Sequence, residues 1–379
     1  MLHPWEVPHL DRDHQALPLG EGWWRGPDAG EPSCRRLLEE RGIRAGRRLP
    51  DGSGSWRLPE EPLQPDLGRA AEDPRDPRAR AAWIEARLHA ARLACAREPE
   101  PPVWMRILNL TPDSFSDGGE LTRAGALAQA LAEAREQGAA WLDLGAESTR
   151  PGAAAVAAEV QIARLEPALE AVSASGIPWS VDTRSARVAA FALEAGARMV
   201  NDVSGLSDPE LAPLVAAQGA ELVLMHMRGT PEDMQERTAY RFLLGEVADE
   251  LARSRNRALR AGVQPERIVL DPGFGFAKTA RQSLELLGRL GALRALGHAL
   301  LAGPSRKSFL GLALGERPPR ERDGGTAGAA ALAAAQGAEI LRLHRGGAVW
   351  EAALAAAAAA REARRAQADP LPALQEARA

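Results

Sequence analysis

From residue 103 onward the chain repeats one pattern: a short apolar run, a polar break, then a longer stretch rich in Ala, Leu and Arg. The apolar runs fall at 104–110, 140–144, 179–182, 199–202, 221–225, 268–271, 299–302 and 340–343. Such short runs, apolar on both faces, are what parallel strands buried on both sides look like. Helical patterns fill the gaps, at 123–137, 158–174, 185–195, 209–218, 241–261, 280–295, 324–336 and 348–365. Eight strand–helix units in roughly 260 residues are what closure into a barrel requires. A doubly wound open sheet also alternates, but no glycine-rich dinucleotide fingerprint follows the first strand. The expected fold is therefore α/β, a (β/α)8 TIM barrel over 101–366, with 367–379 as a C-terminal tail.

The active site of such a barrel lies where its strands end, and here nearly every strand ends in a polar residue. Asn109 closes the first run, Asp143 the second, Asp182 the third, Asn201 and Asp202 the fourth. LMHMRGTPEDMQ, LDPGFGFAKT, AGPSRKSF and LRLHRGG follow at the ends of the other four. A ring of carboxylates and amides inside apolar strands is costly unless a ligand satisfies it. Taken singly, Asp143 and Asp202 are equally consistent with capping a following helix. Asp182, Asn201 and Asp271 suit a flat heterocycle with amino and ring N–H groups, and Lys307 suits a carbonyl or ring nitrogen on its other edge. Met225, Gly275 and Phe276 offer apolar faces for the same ring. Arg150, Arg342, His344 and Asn109 form a second cluster, which suits an anion such as pyrophosphate. Asn109 can also give an oxygen to Mg²⁺, which keeps several waters and binds substrate phosphates directly.

The first strand runs into ILNLTPDSFSDGG, where Thr111, Asp113, Ser114, Ser116 and Asp117 crowd oxygen atoms ahead of Gly118 and Gly119. A plain turn needs no such density of hydroxyls and carboxylates. Rarity is informative as well. Of the 47 basic residues only Lys278 and Lys307 are lysines, and Asn109, Asn201 and Asn256 are the only asparagines. This is the mark of a GC-rich genome. Arginine replaces lysine wherever a solvated charge suffices, so a surviving lysine points to a place that needs a compact ammonium. Lys307 and Asn201 stand at strand ends, whereas Asn256 lies in a charged helix and reads as a surface residue.

A formal charge of −4 and a pI near 6.1 give no electrostatic case for nucleic acid, and no apolar stretch approaches a membrane span. Cys34 and Cys95 make neither a metal-ligand spacing nor a disulfide framework, and the N-terminus lacks the pattern of a secretory signal. A reduced cytoplasm is expected. Residues 1–100 differ in composition: prolines recur, five of the nine tryptophans lie there (Trp5, Trp23, Trp24, Trp56, Trp83), and only 76–97 has a helical pattern. This reads as an irregular, Pro/Trp-rich extension with no complete core of its own. It is expected to dock on the barrel's N-terminal face or outer helices, or to help form a dimer, and to add stability without catalytic groups.

ILNLTPDSFSDGG, LDLGAESTRPGA, SVDTRSA, NDVSGL, LMHMRGTPEDMQ, LDPGFGFAKT, SRKSFLG and LRLH, in that order over about 103–350, closely resemble the successive motifs of dihydropteroate synthases. The resemblance implies condensation of 6-hydroxymethyl-7,8-dihydropterin diphosphate with 4-aminobenzoate, in a homodimer that uses Mg²⁺ held through Asn109. It implies a pterin pocket of Asp182, Asn201, Met225, Asp271, Phe276 and Lys307. A diphosphate site of Asn109, Arg150, Arg342 and His344 would adjoin it, with Thr149, Ser305 and Arg306 near the benzoate. Asp182, Lys307, Arg150 and Asp117 are the implied catalytic residues, and the loops 111–119 and 147–152 the implied covers. Arg106, Pro304 and Arg345 depart from the family, which often has Gly, Gly and Asp there. Two other readings share the barrel: a pterin-dependent methyltransferase, which needs no anion cluster, and a pterin-binding protein whose catalysis has lapsed.

Overall fold

The computed structural model describes residues 15–20, 23–26, 28–29, 32–59, 76–111 and 125–368, with side chains to 365. Eight parallel strands close a barrel: β5 (Val103–Asn109), β6 (Trp141–Gly145), β7 (Trp179–Asp182), β8 (Met199–Asp202), β9 (Glu221–Met225), β10 (Ile268–Asp271), β11 (Ala299–Ala302) and β12 (Ile340–Leu343). Each pairs with its neighbours in sequence, and β12 pairs with β5 to complete the ring. All eight expected strands form, within one residue of the expected bounds.

The helices between them are α3 (Ala126–Glu136), α4 (Ala158–Leu165), α5 (Leu169–Ala174), α6 (Ala186–Glu194), α7 (Leu211–Gln218), α8 (Leu243–Arg260), α9 (Ala280–Gly288), α10 (Gly311–Leu314), α11 (Asp323–Ala335) and α12 (Ala348–Ala368). Their starts follow local chemistry. Ser185 caps α6 through the Val188 amide, and Thr279 and Gln282 form a reciprocal capping box at α9. Two expected helices break. A 3-10 turn at Glu166–Ala168, with Pro167 inside it, separates α4 from α5, and another at Leu290–Leu296 follows α9. Among the described residues no helix is long and apolar enough to cross a membrane.

Alternation along each strand sorts the interior into layers. Met105, Met199, Val223, Val269, Leu301 and Ile340 pack into one apolar plug. One or two steps further along the strands, the inward positions turn polar: Asn109, Asp143, Asp182, Asn201, Asp271 and Arg342. The outward positions pack on the helices in the main core. The barrel is thus sealed below and chemically active above.

The N-terminal region is not irregular. It forms an antiparallel sheet, in the order β1 (Leu17–Gly20), β2 (Trp23–Gly26), β4 (Gly54–Arg57), β3 (Arg44–Arg48), with α1 (Pro32–Glu40) and α2 (Pro77–Ala96). It also has its own core, in which Trp56, Trp83, Ile84, Leu38 and Ile43 are buried and Trp24 packs at the edge. Trp5 lies outside the described residues. The strands escaped the sequence reading because runs such as RAGRR and GSWR carry no apolar signal.

This sheet docks on the barrel's outer helices. Fully buried Arg25 donates to both oxygens of Asp249 on α8, at 2.9 and 2.7 Å, and to Asp51 at 2.7 Å. Gly245 makes the slot, since a Cβ there would lie 2.6 Å from Arg25 Nε. Farther along, Arg294 in the 290–296 turn donates to the carbonyl of Cys95 on α2. Breaking a buried ion pair from one side strands the other charge. Arg25→Met should therefore cost about 3–5 kcal/mol in urea unfolding. A loss below about 1 kcal/mol, the size of a surface pair, would show that water reaches Asp249 and that this is not the anchor.

Candidate active site

At the C-terminal ends of the strands lies a cavity of about 350 Å³. Its size falls in the range of small-molecule sites, roughly 300–1,000 Å³. Asn109 at the end of β5 and Thr111 after it, 147–151 after β6, Asp182 from β7, 274–276 after β10, 305–308 after β11, and Arg342 from β12 with His344 just after it line the cavity. Met234, Pro319 and Arg322 complete the wall.

Its floor is a charged cluster. Asp143 is fully buried and accepts from Ser180 Oγ, from Asn201 Nδ2 at 3.1 Å and from Arg342 Nε. Arg342 Nη2 reaches Asp182 Oδ2 at 2.7 Å. One guanidinium thus serves two carboxylates. Asp182 Oδ1 is buried and has no hydrogen-bond partner among the described residues. Burial raises its pKa to about 7 against the pull of Arg342, and Asp143, Glu147 and Asp202 push the same way.

Lys307 Nζ donates to the carbonyl of Phe274 at 2.5 Å and stands 4.4 Å from the centroid of the Phe276 ring. Burial lowers its pKa to about 8, against the attraction of Asp271. Asp271 accepts from the Gly273 amide at 2.7 Å, and burial raises its pKa. Ser305 Oγ accepts from the His344 amide and lies 2.9 Å from His344 Nδ1. Burial, then Arg306, Arg342, Arg150 and Arg106, pushes the His344 pKa well down, so this histidine is neutral at neutral pH.

The profile of the pterin binding enzyme family matches residues 105–344. The dihydropteroate synthase of Synechocystis is 46% identical over 245 residues, which is 63% of this chain and 84% of that one. The chain belongs to the dihydropteroate synthases. The enzyme of Mycobacterium leprae is also 46% identical, over 63% of this chain and 86% of its own. Among solved structures, dihydropteroate synthase from Yersinia pestis in a sulfonamide complex superposes with a TM-score of 0.65 at 37% identity, covering 69% of this chain and 95% of that one. The Thermus thermophilus enzyme in complex with 4-aminobenzoate gives 0.57 at 39% identity, covering 70% and 95%. The N-terminal sheet lies outside the matched family region.

Within this dihydropteroate synthase, Asn109, Thr149, Arg150, Asp182, Phe276, Ser305, Arg306, Lys307, Arg342 and His344 all line one cavity. Asn201, Met225 and Asp271 are buried and do not line its open part. Asp117 lies outside the described residues, as does most of the 111–119 loop. Arg306 Nε is bound to Asp323 at 2.7 Å and its φ is +57°. Its guanidinium is therefore committed to α11. Asp202 is structural: it accepts from the Ser204 amide and hydroxyl and the Leu206 amide and so shapes the turn after β8. Asp143 anchors Asn201 and Arg342. Of the departures, Arg106 is buried and paired with Glu133 on α3, Pro304 is buried, and Arg345 is exposed at the rim.

The sequence reading missed Lys278, Glu147 and Met234. Glu147 accepts from the Val156 amide at 2.7 Å and pairs with Arg184, which shapes the loop after β6. Lys278 was open to the rarity argument that selected Lys307.

Asp182 carries a pH signature. Folded, it holds its proton to about pH 7, while the unfolded side chain releases it near 3.8. Between these values the folded state binds more protons. The Asp182 contribution to stability is therefore full below about pH 4 and lost as pH rises through about 7, by roughly 1.4 kcal/mol per pH unit where steepest. Asp182→Asn removes this loss. In urea unfolding the variant should gain on the wild type as pH rises through that window. A difference independent of pH would mean that Arg342 already keeps Asp182 ionised throughout.

Proposed function

We propose that this cavity joins 6-hydroxymethyl-7,8-dihydropterin diphosphate to 4-aminobenzoate, giving 7,8-dihydropteroate and pyrophosphate, with the pterin on the Asp182 side and the diphosphate toward Arg150 and His344. The observation that carries the assignment is the buried Asp182 Oδ1, without a hydrogen-bond partner among the described residues, in the cavity that Lys307 also lines. A buried acceptor without a donor calls for a ligand N–H. The aromatic rings of Phe274 and Phe276 support a planar guest between the two groups. Asn201, Asp271 and Met225, all buried, complete the pterin pocket in this reading.

The C–O bond at the pterin's exocyclic methylene breaks with its electron pair leaving on pyrophosphate. The aniline nitrogen then forms the C–N bond and releases a proton. Asp182 stabilises the positive pterin, while Arg150, Arg342 and neutral His344 donate to the departing anion. Arg342 Nε and Nη2 are held by Asp143 and Asp182, and its Nη1 makes no hydrogen bond among the described residues. Ser305 fixes the His344 ring, and Thr149 and Arg306 border the side left for 4-aminobenzoate.

Mg²⁺ belongs to the proposal as well. Among the described residues no three His, Cys, Asp or Glu side chains cluster to hold a metal by themselves. Gly145 leaves room between Asn109 and Asp182: a Cβ there would lie 3.5 Å from Asn109 Oδ1 and 3.8 Å from Asp182 Oδ2. One neutral oxygen suits an ion that keeps its waters and binds substrate phosphates. Asn109 would hold it, and its charge would offset that of the leaving diphosphate. A homodimer is supported by Leu332 and Leu354, which stand exposed on the packed helices α11 and α12. A cytoplasmic setting is supported by the free thiols of Cys34 and Cys95.

Pyrophosphate release is the direct test. It should require both substrates and Mg²⁺, and release without 4-aminobenzoate at the full rate would sink the assignment. His344→Ala and Arg150→Ala should weaken binding of the pterin diphosphate by about tenfold, the loss of a charge-assisted or buried hydrogen bond. Binding of 6-hydroxymethylpterin, which lacks phosphate, should stay within twofold. Arg342→Ala is a poor probe, since it strands Asp143 and Asp182 and should impair folding itself.

A further inference from the structure

Lys278 is the other of the chain's two lysines and has no part in the chemistry described above. It is 2% exposed, in the loop between β10 and α9. Its Nζ lies 2.8 Å from His226 Nδ1, 3.0 Å from the Gly273 carbonyl, 2.9 Å from the Phe276 carbonyl and 3.3 Å from the His226 carbonyl. His226 Nε2 is 2.9 Å from Glu250 on α8. That carboxylate can only accept, so the ring proton sits on Nε2 and Nδ1 offers its lone pair to Lys278. Burial pulls the Lys278 pKa well below the ordinary lysine value, against the attraction of Asp271; what favours the ammonium is that its three N–H donors meet three good acceptors, two of them main-chain carbonyls.

The loop is shaped for this cation. Gly273, Gly275 and Ala277 all have positive φ, at +67°, +81° and +51°. Left-handed residues at alternate positions turn the carbonyls of 273 and 276 inward, and the alanine among them adopts this conformation at a cost. A Cβ on Gly273 would collide with the His226 carbonyl, so the loop lies directly against the end of β9. The groups this loop presents to the cavity are the Phe274 carbonyl, which receives Lys307, and the Phe276 ring, over which Lys307 stands.

We infer that Lys278 is a positioning residue: its ammonium acts as an internal cation that gathers the ends of β9 and β10 and so places Phe276 and Lys307 against the pterin ring. The inference rests on the pterin assignment made above. It also explains why arginine does not stand here. A planar guanidinium is too wide to converge on three acceptors around one nitrogen. Removing the ammonium leaves the Phe276 carbonyl without that donor and the Gly273 carbonyl with the Phe276 amide alone, and it frees the loop, which reaches the pterin and spares the benzoate side.

Lys278→Ala should raise the Kd for 6-hydroxymethylpterin by about tenfold or more, as expected when buried carbonyls lose their donor. KM for 4-aminobenzoate should stay within twofold. Propylammonium, the fragment that the substitution deletes, should restore pterin affinity, and Lys278→Arg should not. Equal losses for both substrates without rescue would overturn the inference and make Lys278 a general core residue, and so would unchanged pterin affinity. Should the variants fail to fold, the wild type supplies the measurement, because ¹⁵Nζ labelling of lysine yields only two side-chain signals. Saturating 6-hydroxymethylpterin should move both. If the Lys307 signal moves and that of Lys278 does not, the positioning role is wrong while the pterin site stands. If neither moves, the pterin assignment itself fails.

Discussion

One guanidinium between two buried carboxylates organises the mouth of this barrel. Arg342 rises from β12 and reaches Asp143 on β6 and Asp182 on β7, across β5. Without it, two buried carboxylates would stand side by side with no positive charge between them. With it, Asp143 is fully satisfied and can hold Asn201, while Asp182 keeps one oxygen free of protein donors. A closed barrel imposes this arrangement, because inward side chains of neighbouring strands meet at fixed heights. The same closure that packs an apolar plug below brings polar residues from distant parts of the chain together above it.

This is also where sequence reading reaches its limit. The strands of the barrel were legible because both faces of each are buried, which leaves uninterrupted runs such as Glu221–Met225 with no competing helical period. Site residues were legible because a polar group at the end of such a run has few structural excuses. Pairings were not. Asp143 and Arg342 are far apart in the chain and meet only because β12 closes on β5. For the same reason Asp143 and Asp202 stayed open between capping and the site, and only the closed barrel separates Asp143, which holds Asn201 and Arg342, from Asp202, which shapes a turn. Arg306 was read as a neighbour of the benzoate, and it lines the cavity with its guanidinium paired to Asp323. The N-terminal sheet was invisible because strands such as Arg44–Arg48 and Gly54–Arg57 carry almost no apolar residues.

That sheet is mechanically closer to the site than its place in the sequence suggests. Its anchor is Asp249, and the next residue along α8, Glu250, sets the tautomer of His226 and holds Arg228. Adjacent residues of a helix point about 100° apart, so one side of α8 grips the appended domain while the other steadies the loop that leaves β9. Gly245 is the price of this union, a glycine in a helix interior that weakens the helix but admits Arg25.

The chain's two cation types divide these tasks by shape. Where charge must bridge two separated carboxylates, the residue is arginine: Arg25 spans Asp51 and Asp249, and Arg342 spans Asp143 and Asp182. A planar fork suits such pairs, because its nitrogens face outward in fixed directions. Where acceptors converge on one point, the residue is lysine: Lys278 sits among two carbonyls and an imidazole nitrogen, and Lys307 between a carbonyl and an aromatic face. Of the 47 basic residues all but these two are arginine. They mark the two sites where donors must radiate from a single atom, and both lie on the same loop contacts beneath the same cavity.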